Sequence, residues 1–186
     1  MASYNSFNYN YRPAKSIERK IFIEILKATY GVISDRSYEY IGLGSIFFTD
    51  FKLIHKELGI TEMINIEQNE TDKKRFEFNK PFSCIKLKWG MTNDVLPSLK
   101  WDNRKIIWLD YDQSLQNYMF EDIDTIFSNL ISGSFFLFSC NSSFQRYYNN
   151  SDQSYRIEDF EKDFDGFSPL EIKNENLTKK KAVFNS

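Results

Sequence analysis

Cysteine, histidine, proline and glycine are all scarce in this chain of 186 residues, at two, one, four and seven copies. The two cysteines, Cys84 and Cys140, lie far apart in apolar runs. They make neither a zinc motif nor a disulfide framework, and we read both as small buried residues in a reducing compartment. The single histidine, His55, sits in the run FKLIHKEL. Its place two turns or more into a helix makes it a surface or boundary residue, and no Ser-His-Asp or Cys-His arrangement can be assembled around it. No GxxxxGK[ST] phosphate loop occurs, which counts against a nucleoside triphosphatase. No apolar run approaches the roughly 20 residues that cross a bilayer. The opening stretch, MASYNSFNYNYRP, lacks the apolar core of a signal peptide, so the expected location is the cytoplasm, with no membrane partner. Positive charge is not in excess either. A formal net charge of −2 weighs against a uniformly basic nucleic-acid-binding surface and leaves room only for a local patch.

What the chain does have is aromatic area and a regular alternation. Aromatic residues make up 17%, with 18 phenylalanines, enough to build a core despite few Val and Ala. The length suits one domain: a flexible arm over residues 1–13, then a single α/β domain over 14–186 with its core at 38–141. A helix is expected from about Ser16 to Tyr30, where Ile17, Ile21, Ile25 and Leu26 recur at helical spacing. Strands are expected at 38–43, 62–66, 83–87, 105–109 and 134–139. Helical stretches between them fall at 47–58, 70–78, 94–99 and 120–130, the last with Phe120, Ile123, Ile126, Phe127 and Leu130 on one face. This alternation implies right-handed βαβ units and a Rossmann-like, mainly parallel sheet flanked by helices, with the first strand central between the second and fourth. Beyond Asn141 the pattern weakens. A helix at 156–164 and a strand starting near 181–184 are the remaining expectations.

Four places could carry chemistry. YIGLGS, residues 40–45, lies between a strand and a helix, where Gly42 and Gly44 let backbone approach a ligand and the helix start directs N–H groups at it. Ser45 belongs to the same turn. The competing reading is a βα turn that needs glycine for packing. Glu67 ends the second strand 23 residues after Gly44, the place from which an acid meets ribose hydroxyls in nucleoside sites. The loop after the third strand holds Trp89, Met91 and Thr92, with stacking on a ligand base and packing on a helix both open for Trp89. Asp110 and Asp112 follow the KIIWL strand. Asp110 suits a role in chemistry, through a divalent cation or a proton, whereas Asp112 reads better as a helix cap. Arg12, Lys15, Arg19 and Lys20, interleaved with Tyr9 and Tyr11, make a patch that could meet a nucleic acid, although a solvated helix face is the simpler reading.

The order of these features resembles the S-adenosylmethionine-dependent methyltransferases of the Rossmann-like kind, most of all their small-molecule O-methyltransferase branch. The resemblance runs from about Tyr38 to Asn141. YIGLGS stands where that family has its glycine-rich turn, INIEQN supplies Glu67 at the ribose position, GMTNDVLPSL stands where the family often has GDAxEVLPxL, and WLDYDQS matches its aspartate-rich turn. The resemblance implies S-adenosylmethionine as cofactor, held by Gly42, Gly44, Ser45, Glu67, Met91 and Thr92, with Asp110 as the catalytic residue and no metal. It also implies two more strands after the fifth. Three positions depart from the pattern: Tyr40 where an acid is usual, Ile46 in place of a third glycine, and Met91 in place of the acid that meets adenine. Two functions therefore stay open, a methyltransferase-like enzyme with an unassigned acceptor and a non-catalytic Rossmann-like module for nucleotide or protein binding.

Overall fold

We describe the fold from a computed structural model, which defines residues 13–30, 38–141, 148–149, 154–155 and 162–164. Of the arm expected over 1–13, residues 1–12 lie outside the described residues and Pro13 opens a helix; the strand expected at 181–184 and most of the helix expected at 156–164 also lie outside them. Of that last segment Lys162 and Asp163 are helical, and the Phe164 ring is buried edge-on against Phe120.

Five strands form one all-parallel sheet: β1 (Glu39–Gly42), β2 (Glu62–Glu67), β3 (Ile85–Trp89), β4 (Lys105–Ser114) and β5 (Phe135–Asn141), in the order β3-β2-β1-β4-β5. β1 is central, paired in parallel with β2 on one side and β4 on the other. Tyr148–Asn149 and Ser154–Tyr155 form a separate two-stranded antiparallel ladder. Period-two alternation divides the sheet's side chains into two cores. Tyr40, Met63, Ile106 and Trp108 face one side, where they meet Phe22, Ile23 and Leu26 of α1 (Pro13–Tyr30), Phe51 and Ile54 of α2 (Thr49–Leu58), and Phe76 of α3 (Lys73–Asn79). Ile41, Ile64, Ile107 and Leu109 face the other, against Val95 of α4 (Thr92–Val95), the turn Leu96–Ser98, and Met119 and Ile126 of α5 (Asn117–Asn129). A sheet covered on both faces needs apolar residues at successive positions, and this explains the unbroken run KIIWL.

Local chemistry sets the element ends. Gly59 closes α2 in the left-handed conformation (φ 69°) and its N–H bonds the His55 carbonyl, as a C-terminal glycine does without Cβ strain. His55 itself bonds the Ile60 carbonyl through Nδ1 at 2.8 Å and packs on Phe82, a boundary role. Both cysteines are free and only partly buried.

Two expectations need correction. β4 does not stop at Leu109 but continues through Asp110 and Asp112 to Ser114. Its extension pairs irregularly with β5, with a register shift between Asp110 and Ser114. Asp112 is thus a strand residue and caps no helix; α5 starts five residues later with Gln116 before it. Polar side chains concealed this length, because alternation persists in the outward-facing residues while apolar content falls. On α5 the buried line is Met119, Asp122 and Ile126, and Phe127 is 63% exposed. Phe127 lies one position round from Ile126 and reaches the sheet only at its margin, edge-on to Phe136.

Candidate functional site

Parallel strands all end at the same edge, and between β1 and β4 the chain's connections diverge in opposite directions. That divergence opens a crevice at the carboxyl ends of the strands, the usual ligand position in open α/β sheets. Here it is a cleft of about 760 Å³, within the roughly 300–1,000 Å³ range of small-molecule sites. Leu43, Gly44 and Ser45 line it after β1, Ile66 to Asn69 after β2, Gly90 to Thr92 after β3, Asp110 to Gln113 along β4, and Tyr118 from α5. Arg19 of α1 and Asp50 of α2 complete the wall.

Of the residues singled out from the sequence, Gly44, Ser45, Glu67, Met91, Thr92 and Asp110 come together on this cleft. Gly42 is not among its lining residues. A Cβ there would stand 2.7 Å from the Tyr40 hydroxyl, so the space beside Gly42 belongs to the buried Tyr40 ring, itself edge-on to Phe51. Gly44 does line the cleft, yet its missing Cβ is also accounted for by protein. Its N–H donates to Asn65 Oδ1 at 2.6 Å, and a Cβ would collide with that oxygen and stand 2.7 Å from the Phe51 ring. Trp89 settles as a packing residue, edge-on to Phe76 with the Lys73 ammonium over its ring.

Glu67 is half-buried at the end of β2. Burial pushes its carboxyl above the usual range, against the opposing effect of backbone N–H groups from Asn69 and Gln68; the Asn69 N–H donates to Oε1 at 2.7 Å. Thr92 is buried and donates its hydroxyl to Asp122 Oδ2, which also accepts from the Tyr111 hydroxyl at 2.5 Å. Asp122 is fully enclosed, and its Oδ1 has no hydrogen-bond partner among the described residues. Burial raises its carboxyl pKa although both hydroxyls oppose the shift. Burial together with that carboxylate also raises the Tyr111 phenol far above its ordinary value.

Asp110 is not isolated. Its Oδ1 accepts from Lys15 Nζ at 2.7 Å and from Ser139 Oγ at 2.6 Å. Burial alone would lower the Lys15 ammonium, but its bonds to Asp110 and Glu18 outweigh that and raise it. One turn further along α1, Arg19 donates through Nε to Asp50 Oδ1. Burial raises the Asp50 carboxyl despite the adjoining guanidinium. Lys15 and Arg19 therefore face the sheet edge and its acids, which removes two of the four cations from the basic patch suggested by the sequence; Lys20 is exposed, and Arg12 lies outside the described residues. Arg19, Asp50, Ser139 and Asp122 are among the polar residues at or behind the cleft that the sequence reading left without a role there. Each sits outside a recognisable motif, and only their shared position in three dimensions reveals them.

Among the described residues, four carboxylates, Asp50, Glu67, Asp110 and Asp112, line the cleft with Arg19, and Lys15 pairs with one of them, Asp110, so acids remain in excess. Such a wall favours a positively charged ligand, while Leu43, Ile66 and Met91 supply an apolar surface between the charges. Among the described residues no group of three or more His, Cys, Asp and Glu side chains is placed to hold a metal ion, and no helix is long and apolar enough to cross a membrane. A comparison with curated proteins gives no match. A comparison with protein-family models matches residues 7–185, nearly the whole chain, to a family described as "Putative O-methyltransferase", and with its five-stranded parallel sheet and its cleft at the strand ends the chain belongs to that family.

Proposed function

We propose that the protein is an S-adenosylmethionine-dependent methyltransferase whose donor lies in the cleft across the ends of β1, β2 and β3, with Asp110 of β4 beside it. One observation carries this reading: chain segments far apart in sequence bring Gly44, Ser45, Glu67, Met91, Thr92 and Asp110 to a single cleft. The donor set fits the cofactor. Glu67 offers a carboxylate for the ribose hydroxyls, Met91 and Ile66 offer apolar surface for a base, and the excess of acids suits a sulfonium. When bound, S-adenosylmethionine supplies an activated methyl group. Asp110 faces the acceptor side. Its hydrogen bonds from Lys15 and Ser139 both fall on Oδ1, so Oδ2 is the atom that accepts a hydrogen bond from an incoming hydroxyl. Ser139 and Lys15 hold the carboxylate at one angle, and alignment of donor and acceptor is most of what methyl transfer requires.

The alternative, a module that binds a nucleotide or protein without catalysis, draws on the same ion pair, because a carboxylate already held by Lys15 and Ser139 has structural partners of its own. Calorimetric titration with S-adenosylmethionine and S-adenosylhomocysteine tests the cofactor reading. The wild-type protein should bind both, and Glu67→Gln should weaken each roughly 10- to 100-fold, the usual consequence of losing hydrogen bonds to a charged group. A folded wild-type protein that takes up neither compound would remove the methyltransferase reading in favour of the module.

A further inference from the structure

Positive charge is unevenly placed along the chain. Residues 73–88 carry six cations, Lys73, Lys74, Arg75, Lys80, Lys86 and Lys88, against one acid, Glu77, in a chain whose net charge is −2. They lie on or beside α3 and β3, and β3 is an edge strand of the sheet. Phe76 anchors α3 from its inner face, fully buried and edge-on to Phe48 and Trp89. Phe78 comes two residues later, about 200° round the helix, and its side chain is 88% exposed. Lys74 and Arg75 stand four and three residues before it and so share its face. Arg75 bonds Asp72, an acid largely withdrawn from solvent, and stays half-exposed itself. Lys73 lies over the Trp89 ring at 5.3 Å. On β3, Lys86 pairs with Glu62 at the surface, and Lys88 is exposed two residues along on the same face of the strand. Among the described residues neither Lys74 nor Lys88 has a carboxylate partner.

Exposed ion pairs of this kind are weak and screened by salt, so the edge keeps its positive field. An exposed ring set among cations suits one kind of partner in particular. Lysine and arginine side chains follow the phosphates of a nucleic acid strand, and an unpaired base stacks on the ring. We propose that α3 and the β3 edge bind a single-stranded nucleic acid, with Phe78 stacked on a base and Lys74, Arg75 and Lys88 meeting phosphates. A duplex fits less well, because its base faces are stacked on one another and closed to the ring. A membrane also fits less well. An interfacial helix buries a broad apolar face, whereas the outer face of this seven-residue helix is charged around Phe78. No residue of α3 lines the cleft, so this surface and the cofactor reading stand or fall separately. The two are neighbours nonetheless, since β3 runs on into Gly90, Met91 and Thr92 at the cleft.

Fluorescence anisotropy on the full chain tests this, with labelled oligothymidylate and oligouridylate of about 12 nucleotides and a duplex of the same length. Co-sedimentation with vesicles of phosphatidylserine and phosphatidylcholine covers the membrane. The wild-type protein should bind the single strands more tightly than the duplex. With about three or four phosphates engaged, a slope of about −0.7 per contact makes affinity fall roughly 20- to 50-fold between about 50 and 200 mM salt. Phe78→Ala should weaken single-strand binding roughly 5- to 100-fold, the usual effect of losing one stacked base, and Phe78→Trp should retain it. The double variant Lys74→Glu, Lys88→Glu should flatten the salt dependence. Lys20→Glu, at an exposed cation of α1, also makes the chain more acidic and should change little. All these side chains are exposed, so thermal melts should match the wild type and show that the variants are folded. A preference for DNA or for RNA identifies the source of the strand, and either one upholds the surface. A wild-type protein that binds no oligonucleotide would overturn it, as would binding equally tight to the duplex and unmoved by Phe78→Ala. Uptake by vesicles without oligonucleotide binding would overturn it in favour of a membrane surface.

Discussion

Gly44→Ala should destabilise the fold strongly, whatever the cleft holds. The added Cβ would overlap Asn65 Oδ1 and approach to 2.7 Å and 3.1 Å of two carbons of the Phe51 ring. Neither neighbour can retreat into solvent, because Asn65 and Phe51 are both fully buried. Asn65 is further tied by the 2.6 Å bond it accepts from Gly44 N–H, and its Nδ2 has no partner among the described residues. Overpacking of a close-packed site costs about 1–3 kcal/mol. Displacing the Asn65 amide adds about 1–3 kcal/mol for the broken bond in a buried setting. The sum, about 2–6 kcal/mol, corresponds to a fall in Tm of roughly 4–24 °C for a domain of this size. Urea unfolding followed by the fluorescence of the three tryptophans gives the free energy. Repeating the substitution in an Asn65→Ala background isolates the collision with the amide, and there the cost of Gly44→Ala should fall by about 1 kcal/mol or more. A cost below about 0.5 kcal/mol, or equal costs in both backgrounds, would refute the packing role. A bulky residue at Gly44 would damage the fold and the cleft together, so Glu67 is the informative position for the ligand.

Two further outcomes follow from buried charge. Asp122 has its carboxyl pKa raised by burial, so the unfolded chain releases this proton at lower pH than the folded one. Its penalty is absent below the unfolded value of 3.8, grows as pH rises through the interval up to the folded value, and is complete above it. Asp122→Asn should therefore flatten the decline of stability with rising pH across that interval; thermal melts at closely spaced pH values read the slope, and an unchanged slope would count against it. At the opposite edge of the sheet from the cleft, Lys105 Nζ donates to Glu39 Oε2 at 2.7 Å with the lysine 1% exposed. Lys105→Met strands a buried carboxylate and should cost about 3–5 kcal/mol, most of it recovered in the Lys105→Met, Glu39→Gln double variant. Chemical denaturation measures both, and a single variant as stable as the double one would contradict a buried pair.

Much of the fold was legible because parallel strands under two helical layers leave a plain trace: short continuous apolar runs separated by amphipathic stretches. The five strands and the central place of β1 follow from that trace. The length of β4 does not, since YDQS continues the extended backbone with polar side chains at the cleft. Nor does the backbone of Phe48, a non-glycine residue with φ 50°. Its fully buried ring lies edge-on to both Phe51 and Phe76, and this packing holds a conformation that propensity alone would assign to glycine. The site divided in a similar way. Glu67 and Asp110 were visible because strand ends are fixed by the strands. Arg19 and Asp50 were not, because ion pairs between helices depend on how those helices sit over the sheet, and spacing along the chain carries no record of it. Tyr40 and Gly42 show the converse: their pattern resembled a ligand turn, and part of it is one tyrosine ring resting over one glycine.

The strand order has a consequence in time. β3, β2 and β1 are all present early in synthesis, but β1 pairs on its other side with β4, whose first residue emerges about 60 residues after β1 ends. At roughly 5–20 residues per second, the flank of β1 that β4 will cover stays open for roughly 3–12 s after β1 is made. Every residue of β1 is buried in the finished protein, so that flank is an apolar strand edge of the kind that recruits other chains. The interval ends when KIIWL arrives. The open edge then passes to β4 until β5 follows, and the strand that closes the flank of β1 is also the one that brings Asp110 to the cleft.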